Sequence, residues 1–118
     1  MPAKKSPAVL AQNARDMVEQ LNHLVLNEAA TITAPNINDT VRPLMQLADR
    51  LEQAFEQLAA VLEMRAKEGA IGMDTDEDPD DAVAAVAEAL RAAAGDVQGL
   101  AQSLAVPART LSAMDHRR

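Results

Sequence analysis

Residues 79–107 read PDDAVAAVAEALRAAAGDVQGLAQSLAVP, and how this stretch is divided decides the fold. Asp78 and Pro79 form a helix start. Asp caps the first free backbone N–H groups, and Pro at the first helical position sacrifices a donor that has no partner there. Asp80 and Asp81 follow in the first turn, where the helix dipole favours negative charge. From residue 82 to 105, ten of 24 residues are Ala and only Glu88, Arg91 and Asp96 are charged. Val83, Val86, Leu90, Val97, Leu100 and Leu104 fall on one stripe, with Ala93 completing the alternation of three and four that marks a helix face. That stripe predicts one helix over 79–105, ended or broken by Pro107.

Two further helices are expected upstream. Ser6 and Pro7 repeat the cap-plus-proline start, and Leu10, Ala14, Met17, Leu21 and Leu24 form one face of a helix over about 8–31. Arg15 and Glu19, four apart, are expected to pair on its wet side. Residues 32–38 read as a loop, because Pro35, Asn36 and Asn38 favour turns. Asp39 or Thr40 then caps a helix over about 40–68, with Pro43 in its first turn. Its stripe is heptad-like: Leu44, Leu47, Leu51, Ala54/Phe55, Leu58 and Val61/Leu62. Glu63 and Lys67 form an expected i,i+4 pair, and Gly69 is a natural residue to end the helix. Residues 70–77 are an acidic connection.

The fold class expected from this is all-α: an antiparallel, up-down-up three-helix bundle with long helices, with dimerisation as a further way to complete it. Residues 1–6 form a basic tail expected to be disordered, 7–105 the bundle, and 106–118 a C-terminal tail or short helix.

Composition narrows the function classes. The chain has 118 residues and a formal charge of -7. Six acids, Asp74, Asp76, Glu77, Asp78, Asp80 and Asp81, fall within eight residues and account for almost all of that excess. With no Cys, there is no disulfide framework and no thiolate metal site. Phe55 is the only aromatic residue, which removes base-stacking nucleic-acid modules. The longest charge-free run, from Val97 to Ala108, is 12 residues and too short to span a bilayer. No apolar segment follows Lys4 and Lys5, so no secretory signal is expected and the cytoplasm is the default location.

Catalytic and metal chemistry is thin. Asp74, Asp76 and Asp78 have the spacing of the first ligands of an EF-hand, but Pro79 stands where that loop needs Gly and Ala85 where it needs Glu. Glu19 and His23 are four apart rather than the three of a bundle metal motif, and no second pair exists. Ser103, Thr110 and Ser112 have no evident base, and no Gly-rich phosphate loop is present. No enzyme, cofactor or metal is expected.

Two readings remain. In the first, the chain is a helical protein–protein interaction or oligomerisation module, a scaffold or adaptor. Its apolar faces bind itself or another helical protein, not a membrane, with Leu51, Phe55, Leu58, Leu62, Val83, Val86 and Leu90 at the contact. In the second, the chain bends at Gly95 and Asp96 caps a short helix. Ala105, Val106 and Pro107 then form a turn and a further helix begins at Ala108. The stretch from Leu100 to Ser112, with Ala101 inside the first helix, Leu104 and Val106 beside the turn and Leu111 and Met114 as anchors, resembles the helix-turn-helix of phage-repressor-type DNA-binding regulators. That resemblance implies DNA contacts from Arg109, Thr110 and Ser112 and phosphate contacts from Arg117 and Arg118. It makes residues 97–116 the reading head and the upstream helices a dimerisation region. One uninterrupted helix over 79–105 excludes it.

Overall fold

A computed structural model describes residues 6–115. The fold is all-α, with three long helices in chain order and no strand among the described residues. Helix α1 spans Pro7–Asn27, a short 3-10 turn spans Ala29–Thr31, α2 spans Ala34–Lys67 and α3 spans Pro79–Leu111.

The ends obey the local chemistry. The Ser6 hydroxyl accepts from the Val9 N–H at 3.2 Å, with Pro7 next in line. Asp78 accepts from the Asp80 N–H at 3.0 Å and starts α3 in the same manner. At the other end of α2, Gly69 takes φ +73, a left-handed conformation that costs Gly nothing. Its N–H reaches the Ala66 carbonyl and the Ala70 N–H reaches back to Arg65, which closes the helix with a Schellman motif.

Three expectations about breaks are corrected. Helix α2 begins at Ala34, not near Thr40. Thr33 caps it, and Asn36 completes a reciprocal capping box, with its side chain accepting from the Thr33 N–H at 3.0 Å. The turn-forming character of Asn36 is thus spent on a helix start, and Pro35 supplies the first-turn proline. Pro43 therefore stands inside the helix, and Thr40 donates its hydroxyl to the Asn36 carbonyl instead of capping. Helix α1 stops at Asn27, short of Thr31. Helix α3 neither breaks at Gly95 nor ends at Pro107, but runs on to Leu111 with Ser112 as its cap.

Packing between helices is confined to α2 and α3. They run antiparallel: Arg91 reaches Glu63 and Glu56, while Ala108, further along α3, faces Met45, earlier in α2. The core between them is made of small residues. Ala48 and Ala59 from α2, and Val83, Ala87, Ala94 and Ala101 from α3, are the buried apolar side chains. Ala87, Ala94 and Ala101 recur every seven residues, with half-buried Ala108 continuing the series. A heptad repeat keeps one seam facing the partner helix, and small side chains on it let the backbones approach closely. Half-buried Phe55, Leu62, Leu90, Val97 and Leu104 fill the positions between the alanines.

Helix α1 has no fully buried residue, and its Val18 and Leu21 are half-buried. None of its Cα atoms lies within 8 Å of one in α2 or α3. The radius of gyration is 19.4 Å, where a compact chain of this length has about 13–14 Å.

Candidate interaction surface

The seam of the hairpin fixes which residues lie on its two edges. Residues one step past seam positions 48, 55 and 62 fall on one edge of α2, and those four before them on the other. The first edge carries Asp49, Glu56 and Glu63. The second carries Leu44, Leu51 and Leu58. On α3 the same rule puts Arg91 on one edge and Val86, Ala93 and Leu100 on the other. Arg91 bonds to Glu63, so those two edges coincide, and the two apolar edges must coincide as well.

The charged edge is closed by a bidentate contact. Both guanidinium NH groups of Arg91 donate to the Glu63 carboxylate, one at 3.1 Å, and its Nε lies 3.9 Å from Glu56. The hydrogen bond from Arg91 holds the Glu63 carboxyl below its ordinary pKa, and the same bond raises Arg91 further. The charge of Lys67, the expected partner, also lowers the Glu63 pKa, but the two-bond contact is with Arg91, whose planar fork matches the carboxylate. On α1, Arg15 pairs with its neighbour Asp16 at 3.0 Å rather than with Glu19. Glu19 lies 3.8 Å from the exposed His23.

The apolar edge is open. Leu51 is 39% exposed, Leu58 49%, Val86 48% and Leu100 54%. Val61, one turn from Leu58, is also exposed. Beside this edge, α1 turns Ala14, Met17 and Leu21 towards Pro43, Leu44 and Leu47 across an open groove. At the apex, where α1 meets α2, Leu24, Val25, Ile32, Ile37 and Val41 line a cleft of about 630 Å³. Both grooves are loosely covered, leaving Met17 64% and Leu24 58% exposed.

The seven residues expected at a contact thus divide. Val83 is buried, and Phe55, Leu62 and Leu90 half-buried, along the α2–α3 seam, where they form the chain's own core. Leu51, Leu58 and Val86 stand outside it on the open edge. The stripe expected on α3 ran through the large residues, and the seam instead takes the alanines one position further on. Leu100 and Leu44 were on the expected stripes without being singled out. Their heptad spacing from Val86 and Leu51 is the signal that groups them.

The helix-turn-helix reading is overturned in its geometry. It needs a bend at Gly95 and a turn over Ala105–Pro107, and α3 is one helix through both. Arg109 and Thr110 ride on the last turn of that helix, and Ser112 caps it, donating its hydroxyl to the Arg109 carbonyl at 2.7 Å. Arg117, Arg118 and His116 lie outside the described residues, as do residues 1–5 of the expected tail. Gly95 and Gly99 do not mark close packing either: a Cβ at each would meet nothing within 4 Å.

Among the described residues, no group of three or more His, Cys, Asp or Glu is placed to hold a metal ion, and no helix is long and apolar enough to cross a membrane. Comparison with known protein families, curated proteins and solved structures gave no match.

Proposed function

We propose that the chain is a non-enzymatic helical interaction module that works by presenting apolar helix faces to other helices. One observation carries this: Leu51, Leu58, Val86 and Leu100 stand exposed along a single edge of a hairpin whose opposite edge is closed by charge. Isolated exposed apolar residues are ordinary on protein surfaces, but a contiguous apolar strip marks an interaction surface. The clefts between α1 and α2 support the same reading, since they are lined chiefly by Leu, Val, Ile and Met.

The test is retention on the immobilised full chain, offered both free chain and a native cell extract. A defined polypeptide is expected to be held by the wild type and lost from the Leu58→Asp, Leu100→Asp variant. Unchanged retention by the variant, or no retention by either chain, overturns the proposal.

A further inference from the structure

We infer that the surface just described is covered by a second copy of the chain. Helix α1 of each copy lies in the apolar groove between α2 and α3 of the other, so that a three-helix bundle is completed in trans. This rests on the interaction-module reading and names its partner.

Three strips match in length. Leu10, Met17 and Leu24 on α1 are spaced by seven, as are Leu44, Leu51 and Leu58 on α2 and Val86, Ala93 and Leu100 on α3. Each covers about 21 Å of helix at 1.5 Å per residue. The two hairpin strips flank one groove, and the α1 strip is the right length and polarity to fill it. No charged residue belongs to any of the three, so neither an acidic nor a basic partner finds a counterpart there.

The exposed area fits a dimer. The chain exposes 9199 Å², whereas a compact monomer of its mass exposes about 6,200 Å². The excess is about 3,000 Å² per chain, enough for the 2,000–5,000 Å² that obligate homodimers bury in total. A two-fold arrangement uses it economically, because each copy contributes both an arm and a groove.

The connector argues for another copy rather than for the chain's own arm. Between α1 and α2 the backbone is held by the bonds Glu28 N–H to Leu24 O (2.9 Å), Thr31 N–H to Glu28 O (2.9 Å) and Ile32 N–H to Ala29 O (3.4 Å). The Thr31 hydroxyl donates to Glu28 O at 2.9 Å, and the Thr33–Asn36 capping box follows directly. These bonds hold α1 where Ala14, Met17 and Leu21 face Pro43, Leu44 and Leu47 across an open groove, with no Cα of α1 within 8 Å of one in α2. Docking in trans leaves that connector as it stands, whereas closing α1 over the hairpin in cis has to move it.

The chain has no cysteine, so cross-linking reports cleanly. Met17, Leu51 and Ala93 are the midpoints of their strips and meet whichever way α1 runs. Light scattering of the full chain is expected to give twice the 12.6 kDa chain mass. A mixture of Met17→Cys chains and Ala93→Cys chains, treated with a short thiol cross-linker, is expected to give a mixed dimer. Met17→Asp is expected to halve the mass while helical circular dichroism is retained. A mass of 12.6 kDa at all concentrations overturns the inference. So does a dimer without the mixed cross-link, and so does an intrachain cross-link in the Met17→Cys, Ala93→Cys double variant. A monomer that still holds a different polypeptide through Leu58 and Leu100 refutes the second copy alone, and a monomer that holds nothing refutes the interaction module too.

Discussion

Where α2 meets α3, the chain buries alanine; where α1 faces α2, it offers leucine, methionine and valine and buries none of them. The two regions have similar amphipathic patterns and opposite outcomes. Small residues every seven positions allow close, continuous backbone approach, and the half-buried Phe55, Leu62 and Leu90 fill the gaps between them. The larger α1 stripe stays open because α1 stands off α2, with no Cα pair between the two helices within 8 Å. Side-chain size alone thus does not say which face is the core. A loosely covered face of large apolar residues is what the proposed interaction reading rests on.

The sharpest way to break the comparison is to enlarge a residue in each region. Ala94→Leu is expected to overpack the seam and lower stability by about 1–3 kcal/mol, read from the midpoint of urea unfolding. Ala11→Leu, on the exposed side of α1 off that stripe, is expected to stay within about 0.5 kcal/mol of the wild type. Equal losses at the two sites refute the distinction. A smaller effect of opposite sign is expected on the outer face of α3. Gly99→Ala adds a Cβ that meets nothing within 4 Å, so it is expected to raise stability by about 0.5–1 kcal/mol through helix propensity alone. A loss would show that Gly99 is packed against something in solution.

The smallest effect concerns the charged edge. Glu63 has a lowered pKa in the folded chain, so its contribution to stability is present above its ordinary value of 4.5 and disappears as pH falls through and below that value. Arg91→Leu removes the partner. The stability difference between wild type and variant is therefore expected to be present at pH 7 and to shrink by pH 3 in urea titrations. A difference independent of pH would assign the role of Arg91 to its packing stem instead.

Much of this fold was legible where local chemistry decides. Ser6–Pro7, Asp78–Pro79 and Gly69 mark helix ends, and each does so for a reason confined to one turn of backbone. The prolines and Asn36 were less legible, because a cap, a loop and a helix interior all accept them and only the neighbouring turn selects one. The seam was legible in part. The expected stripe shares Val83, Leu90, Val97 and Leu104 with it, but a pattern weighted by side-chain size takes Val86, Ala93 and Leu100 where close packing takes Ala87, Ala94 and Ala101, one position on. Of the candidate surface, Leu51, Leu58 and Val86 were visible as apolar residues, but their exposure depends on which neighbouring positions the seam takes up.

The two interior prolines have a mechanical consequence. Pro43 has no N–H to offer the Asp39 carbonyl, and Pro107 none for Ser103. They lie at nearly the same height, since Ala108 and Arg109 face Met45 and Gln46. Each rod of the hairpin therefore lacks a rung at one shared level, and that level is where bending costs least. Helix α1 is attached beyond it. Any bend that shifts the arm is therefore expected at that cross-section, which leaves the alanine seam below undisturbed.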